Sequence, residues 1–202
     1  MLGTIFLICA AYLVGALPVG VLLGRRMGFD PRLGGSGNIG MTNVTRVGGK
    51  AAGALTFAGD FLKGFLPVVC GRLLGYGADA LILTGLAAFA GSLWSVFLAF
   101  RGGRGVSTSL GVWLALAPAP VAVSVTVFVA VLTLARIVSL ASVSAALVLP
   151  VATAAFGMPV KYLLLALVMS ATVIIRHRPN LKRLLRGEEL AIGLLKKRSS
   201  PR

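Results

Sequence analysis

The chain has 202 residues, of which 57% are hydrophobic and 12% are charged, and it carries a formal net charge of +15. This composition excludes an ordinary soluble globular domain, because several uncharged runs approach the roughly 20 residues that cross a bilayer. We therefore expect an integral membrane protein in which residues 1–202 form one helical bundle without a separate soluble domain.

Seven apolar runs along the chain are candidate membrane spans: residues 2–24, 51–74, 80–100, 106–117, 119–135, 137–157 and 159–175. The first run lacks a charge, a preceding basic region and a convincing cleavage site. We expect it to remain as a span and not to be removed as a signal peptide. After the short fourth run, Pro118 and Pro120 interrupt the apolar sequence, so this segment could form one bent helix or two short ones.

The positions of Lys and Arg favour seven spans, because these residues collect at the cytoplasmic ends of membrane helices. With seven spans and an outside amino terminus, only Arg72 and Lys161 fall on the outer side, while the basic loops and the basic tail fall on the inner side. With six spans, either the first basic loop or the tail would face outward. The sequence thus predicts an all-α, polytopic protein with seven transmembrane helices, an outside amino terminus and a cytoplasmic carboxyl terminus. The same placement accounts for the net charge without nucleic-acid binding.

This topology places four polar segments on the inner side, where we expect them to form one interface: residues 34–46, 100–109, 137–142 and 176–189. The first, GGSGNIGMTNVTR, is rich in glycine, which allows successive backbone N–H groups to point into one concavity that suits an anion. Arg46 adds a fork of donors that matches phosphate geometry. The alternative to a phosphate site is a flexible headgroup loop. The other candidate residues of this segment are Gly35, Ser36, Gly37, Asn38, Gly40, Thr42 and Asn43.

The second segment contains RGGRG, followed by three hydroxyl residues at the start of a span. Free N–H groups at a helix amino terminus form a ready anion site, and the two arginines add positive charge. The alternative role is a simple cationic anchor at the inner face. The candidate residues of this segment are Gly102, Gly103, Arg104, Gly105 and Thr108.

The last two segments carry hydroxyl, imidazole and amide groups. Ser139 and Ser142 are three residues apart and share a helix face, although packing or backbone hydrogen bonding would also explain them. His177 is the only histidine of the chain, and Asn180 follows it by three residues. His177 could act as a general base, bind phosphate or contact headgroups. If Pro179 opens a helix, that helix has an apolar stripe and lies on the inner leaflet.

Two oppositely charged residues, Asp60 and Lys63, lie within the second predicted span, one helical turn apart. Ionisable residues at membrane depth are costly and usually functional. An i, i+3 pair can also neutralise itself as a structural tie. We predict the structural role for this pair.

Five motifs carry a resemblance to a known family: GSGNIG-x-TNV-x-R at 35–46, DFLKG at 60–64, W-x-VFL-x-F-x-GG-x-GV-x-T at 94–108, VSLAS at 138–142 and RHR-x-N-x-KRLL-x-G-x-E at 176–189. Together they resemble the bacterial acyl-phosphate:glycerol-3-phosphate acyltransferase family, the PlsY family. The chain departs from the usual family pattern where Ser92 replaces a histidine, Arg104 a lysine, Met41 an alanine and Pro179 an acidic or polar residue.

The resemblance implies a seven-span enzyme of the bacterial plasma (inner) membrane with its active site at the cytoplasmic face. Such an enzyme moves a fatty acyl group from acyl phosphate to the 1-hydroxyl of glycerol 3-phosphate, giving lysophosphatidic acid and phosphate in phospholipid biosynthesis. It implies no cofactor and no metal; the partners are the two substrates and the lipid bilayer, and a monomer is plausible. Carried over motif by motif, the expected catalytic residues are Ser36, Arg46, Arg104, Ser142, His177 and Asn180, with Asn38 beside them.

Two readings compete with this enzyme. A transporter should show internal repeats and broken helices with charges near the midplane of both halves, and no repeat is visible. A noncatalytic relative that binds anionic lipid remains open, because motif similarity does not prove chemistry. For the enzyme, we expect direct transfer between the two substrates, with Ser36 as a positioning donor, because no base for a serine nucleophile lies nearby in sequence.

Overall fold

The computed structural model describes residues 1–191, and all regular secondary structure in this range is helical. The helices in this range are α1 Leu2–Ala16, α2 Val19–Met27, α3 Met41–Leu73, α4 Ala78–Leu93, α5 Val106–Leu116, α6 Pro118–Ala135, α7 Val138–Ala155, α8 Val160–Arg176 and α9 Arg178–Leu185. A 3₁₀ turn, Val96–Leu98, lies between α4 and α5. Four basic residues of the predicted inner tail, Lys196, Lys197, Arg198 and Arg202, lie outside the described residues.

Five helical segments of the described chain are long and apolar enough to cross a membrane. They are Leu2–Met27, which joins α1 and α2, Ala78–Leu98, and the helices α3, α6 and α7. A sixth is obtained if α8 and α9, which meet at an angle of 52°, count as one span. Helix α5 has 11 residues, fewer than the roughly 20 of a full crossing. The all-helical membrane fold is therefore confirmed, and the count of seven spans stays a prediction.

Proline and glycine account for the breaks between helices. Pro18 separates α1 from α2, and Gly49, with φ 87°, interrupts the helical geometry of α3. The predicted second span, residues 51–74, thus begins just after the kink, whereas residues 41–48 form a separate short helical piece where we expected loop. Ala117, with φ −151°, separates α5 from α6, so the proline-interrupted segment is two helices and not one bent helix.

Small residues allow the helices to approach closely. A Cβ atom on Gly15 of α1 would lie 2.0 Å from the carbonyl oxygen of Ala88 in α4. A Cβ atom on Gly64 of α3 would lie 2.2 Å from the carbonyl oxygen of Thr108 in α5. Such contacts between backbones replace the hydrophobic driving force that is missing inside a bilayer. They hold α4 and α5, and the loop between them, against α1 and α3.

Candidate active site

A cavity of about 360 Å³ collects residues from all four polar segments. Its wall includes the predicted residues Ser36, Asn38, Gly40, Thr42, Asn43, Arg46, Gly103, Arg104, Gly105, Thr108, Ser139, Ser142, His177 and Asn180, together with Asp60 and Lys63. Three predicted residues, Gly35, Gly37 and Gly102, lie outside this wall. The structure thus brings most of the candidate residues together around one space.

Asn43 ties the first polar segment into a fixed loop. Its side-chain Nδ2 donates to the carbonyl oxygens of Pro31, Gly34 and Asn38 at 2.7, 3.1 and 2.8 Å, and its Oδ1 accepts from the backbone N–H of Ser36 at 2.7 Å. The amide of Asn43 is therefore occupied by the protein. We predicted it as a donor to substrate, but in this structure it shapes the loop.

Two of the predicted glycines serve the loop through their backbone conformation. Gly35 and Gly37 have φ values of 59° and 70°, in the left-handed region that favours glycine. Gly40 is extended, with φ −83°, and precedes the first residue of α3, so its role does not require a permissive backbone. The amino-terminal N–H groups of α3 lack partners within the helix, as at every helix start, and the cavity lies beside them.

Arg46 lies on the short helical piece before Gly49 and is half-buried in the cavity wall. One of its terminal nitrogens donates to the carbonyl oxygen of Leu190 at 3.1 Å. A guanidinium has five N–H groups in a planar fork. Most of these donors therefore remain available to an anion in the cavity.

The second polar segment is pinned to the end of α4. The N–H of Gly102 donates to the carbonyl oxygen of Leu93, and the N–H of Gly103 to that of Ser92, each at 3.0 Å. Arg176 donates to the same Leu93 oxygen at 2.6 Å, and its guanidinium lies 5.3 Å from the centre of the Trp94 ring. We predicted Gly102 and Gly103 as substrate-binding residues, and in this structure their N–H groups hold the loop.

Arg104 is the charged group that this loop presents to the cavity. Burial lowers the pKa of Arg104 to about 10, and the positive charges of Arg183 and Arg46 act in the same direction against the opposing charge of Glu189. Arg104 is therefore still charged at neutral pH. Gly105, with φ 78°, follows it and caps α5, which places the amino terminus of that helix beside the guanidinium.

The serines of the cavity mostly bond within the protein. Ser142 donates to the carbonyl oxygen of Val138 at 2.9 Å, one helical turn back, and Ser92 donates to that of Phe89 at 2.7 Å. Backbone hydrogen bonding is the role that the sequence indicated for Ser142 as the alternative to a place in the site. The hydroxyl oxygens can still accept hydrogen bonds from a substrate.

His177 is 2% exposed and stands at the junction of α8 and α9. Its Nδ1 lies 2.8 Å from the carbonyl oxygen of Val173. A carbonyl can only accept, so Nδ1 carries the proton and Nε2 is the free acceptor of the neutral ring. Burial lowers the pKa of His177 to about 4, and the charge of Arg104 contributes in the same direction. His177 is therefore an acceptor at neutral pH, but a weak base.

The neutral state of His177 can be tested directly because it is the only histidine of the chain. In protein labelled with ¹⁵N-histidine and made without a histidine tag, we expect the imidazole signals to stay those of the neutral Nδ1–H tautomer as the pH falls to about 5. Since the folded pKa of about 4 lies below the ordinary 6.5, acidification between these values should also destabilise the fold. A titration midpoint near 6.5 would contradict the buried, neutral assignment.

Glu189 is a cavity residue that we did not predict. Its Oε1 accepts from Ser139 Oγ at 2.8 Å and from Asn180 Nδ2, and its Oε2 accepts from Arg183 Nε at 2.8 Å. Burial raises the pKa of Glu189, but the hydrogen bonds from Asn180, Ser139 and Arg183 outweigh it, so that the pKa is lowered and the carboxylate stays ionised. The sequence could have pointed to Glu189, because it is one of only five acidic residues in a basic chain and is the last residue of the fifth motif.

The predicted ion pair of α3 is formed. Lys63 Nζ lies 2.8 Å from Asp60 Oδ1, and both side chains are largely buried. Lys63 also donates to the carbonyl oxygen of Leu17 at 3.1 Å, at the break between α1 and α2. This geometry ties α3 to the broken first span, in line with the structural role that we predicted.

A second cavity of about 300 Å³ continues from the first and is almost entirely apolar. The two cavities share Phe57, Val106, Ser107, Phe128 and Ser142. The second runs between α5, α6 and α7. Among the described residues, no cluster of three or more His, Cys, Asp or Glu side chains could hold a metal ion.

Residues 5–187 match the model of a protein family described as glycerol-3-phosphate acyltransferase. The chain is 46% identical over 189 residues to the glycerol-3-phosphate acyltransferase of Rubrobacter xylanophilus, covering 94% of this chain and 95% of that one. It is 42% identical to that of Geobacter sulfurreducens, covering 94% and 97% of the two chains.

Solved structures show the same similarity. A crystal structure of PlsY, an integral membrane glycerol 3-phosphate acyltransferase, in its glycerol 3-phosphate form superimposes with a TM-score of 0.90 at 41% identity and covers 95% of this chain and 96% of that one. The lysophosphatidic acid form of PlsY gives a TM-score of 0.87. The chain therefore belongs to the glycerol-3-phosphate acyltransferase family.

Proposed function

We propose that this protein is an acyl-phosphate-dependent glycerol-3-phosphate 1-O-acyltransferase. It transfers a fatty acyl group to the 1-hydroxyl of glycerol 3-phosphate and releases phosphate, and the product is lysophosphatidic acid for phospholipid biosynthesis. The family to which the chain belongs supports the acyltransferase activity and its acceptor. The forms of PlsY crystallised with glycerol 3-phosphate and with lysophosphatidic acid correspond to an acceptor and a product of this reaction.

One observation of this chain carries the proposal: a cationic, polar cavity opens directly into an apolar one. Arg46 and Arg104 line the first cavity and suit phosphate groups. The second cavity suits a hydrocarbon chain. A substrate with a phosphate at one end and an acyl chain at the other fits across the shared wall near Ser107, which favours acyl phosphate as the donor.

The reaction requires little covalent chemistry from the protein, because acyl phosphate is already activated. The acceptor hydroxyl oxygen attacks the acyl carbon, the bond from that carbon to the phosphate oxygen breaks, and the hydroxyl proton passes to the departing phosphate. His177 is too weak a base to hold that proton, but its free Nε2 can accept a hydrogen bond from the hydroxyl group and align the oxygen for attack. Arg46 and Arg104 stabilise the negative charge that develops on the leaving phosphate.

The remaining predicted residues position the substrates. Ser36 lies in the cavity wall with its side-chain hydroxyl free of any hydrogen bond within the described residues, so it can donate to a phosphate oxygen. Asn180 Nδ2 is engaged by Glu189, and its Oδ1 is buried without a partner in the described part of the chain. A glycerol hydroxyl would satisfy that oxygen. We keep Ser36 as a positioning donor and not a nucleophile.

We propose seven spans with an outside amino terminus, a bacterial inner-membrane location and a cytoplasmic site. The basic residues of the cavity and its loops support this orientation through the preference of Lys and Arg for the cytoplasmic side. The exposed ion pair between Asp79 and Lys161, 2.8 Å long, would then lie on the outer face. In intact cells a cysteine introduced at Asp79 should react with an impermeant maleimide, whereas one at Gly187 should not; the reverse pattern would invert the topology.

The activity is tested with purified protein in detergent, palmitoyl phosphate and glycerol 3-phosphate, with phosphate release and lysophosphatidic acid followed over time. We expect both products in equal amounts, and none when glycerol 3-phosphate is omitted. Release of phosphate without the lipid product would indicate hydrolysis. The absence of both products would refute the proposed activity and leave the lipid-binding alternative.

A further inference from the structure

The second cavity is a cleft that ends, on the side away from the polar cavity, at Trp113 of α5, Val121 of α6 and Leu149 of α7. Helices α5 and α6 are consecutive and separate at Ala117, while α6 packs along α7 and contacts α5 only weakly. Trp113 lies four residues before Ala117, and Val121 lies four residues after it.

The closed end of the cleft is built from buried apolar side chains. Trp113 is 0% exposed, Val121 5% and Leu149 6%. From the shared wall at Ser107 to Trp113 the helix rises about 9 Å, at roughly 1.5 Å per residue, and the stretch from Ser142 to Leu149 rises about 10 Å. A hydrocarbon chain that enters the cleft beside the polar cavity would therefore reach Trp113 after about 9 to 10 Å.

The indole of Trp113 has an unusual environment for a buried tryptophan. Its Nε1–H has no hydrogen-bond partner within residues 1–191. A buried unpartnered donor costs stability, so a packing role alone would be served as well by phenylalanine. What the indole adds at this position is its size and shape at the end of the cleft.

We propose that Trp113, with Val121 opposite it, sets the acyl-chain length that the enzyme prefers. This inference rests on the proposed function, because it assigns the cleft to the acyl chain of the acyl phosphate. A chain that reaches Trp113 must stop there or bend sideways. Val125 and Val129 of α6, which also line the cleft, are 39% and 50% exposed, so the cleft also opens towards the bilayer. If the chain leaves by that side, its length is not selected.

The test compares kcat/KM for a series of saturated acyl phosphates, from dodecanoyl to octadecanoyl, in the wild type and in three variants. Val121→Phe should fill the end of the cleft and lower the ratio of kcat/KM for octadecanoyl to that for dodecanoyl phosphate by at least about 10-fold. Trp113→Phe removes both volume and the unpartnered N–H, and should raise this ratio while keeping the fold. The matched control is Val123→Phe, the same change on the exposed side of α6, which should leave the ratio unchanged.

A ratio of rates for two donors does not depend on how much of a variant is folded. If Val121→Phe yields no folded protein, Trp113→Phe alone decides. The inference is overturned if the ratio stays constant in Trp113→Phe and Val121→Phe, or if Val123→Phe shifts it equally. These outcomes differ from failure of the proposed function, in which the wild type would transfer no acyl group from any of the donors.

Discussion

Arg46→Ala should lower kcat/KM for glycerol 3-phosphate and palmitoyl phosphate by at least about 10²-fold, the cost of removing a donor aimed at developing negative charge. The half-buried guanidinium faces the cavity and spends one donor on the Leu190 carbonyl oxygen. Alanine removes both the charge and the planar fork. Arg46→Lys restores charge without the fork and should recover only part of the loss. Initial rates of phosphate release with each substrate varied in turn give the measurement.

The matched control for Arg46 is Asp79→Ala, which removes a charged side chain at the other end of the bundle. Asp79 pairs with Lys161 and is largely exposed. Exposed ion pairs contribute little to stability, so this variant should retain nearly full activity. Equal losses in Arg46→Ala and Asp79→Ala would mean that the site lies elsewhere or that both changes act only through folding.

Glu189→Ala should reduce both thermal stability in detergent and turnover. The carboxylate accepts from Ser139, Asn180 and Arg183, and its loss leaves these donors unpaired and an additional uncompensated cation near Arg46 and Arg104. Removing one partner of such a network costs more stability than the intact interaction contributes, because the remaining partners stay buried and unpaired. We expect a fall in kcat of about 10²-fold, because Asn180 loses the contact that fixes its amide.

Glu188→Ala provides a control of the same charge change one residue earlier. Glu188 is exposed, and within the described residues its side chain makes no hydrogen bond. We expect wild-type melting temperature and kcat for this variant. Glu189→Gln keeps an acceptor for Ser139 but cannot accept from Arg183 with its amide nitrogen. Its melting temperature and kcat should therefore lie between those of Glu189→Ala and Glu188→Ala. If Glu188→Ala and Glu189→Ala behave alike, Glu189 acts only through the net charge of the tail.

The parts of the molecule that sequence predicts are those governed by local rules. Apolar runs predicted the membrane helices, and Pro118 and Pro120 predicted the break at Ala117 between α5 and α6. The kink at Gly49 was not predicted. The placement of the four polar segments on one side followed from the preference of Lys and Arg for the cytoplasmic side, which can be applied to each loop separately. The Asp60 and Lys63 pair followed from helical spacing.

Sequence does not predict the hydrogen bonds in which several of these residues take part, because their partners come together only when the chain has folded. Gly102 and Gly103 resemble an anion loop, but their N–H groups are taken by the end of α4. Asn43 resembles a substrate donor, but its amide serves carbonyls that face it only after the loop has closed. Glu189 meets Ser139 across 50 residues. No local pattern specifies such pairings, which appear only in the folded molecule.

The contact between Arg176 and the Leu93 carbonyl oxygen has a consequence for how the enzyme tolerates different membranes. This side chain joins the end of α8, beside His177, to the end of α4, to which the loop that carries Arg104 is also hydrogen-bonded. Membrane helices respond to a thicker or thinner bilayer by tilting. Because α8 and the loop are both fastened to the end of α4, tilting of α8 would carry the imidazole and the guanidinium along as one unit. The spacing of these two groups, on which the proposed transfer depends, would thus be insulated from changes in lipid composition.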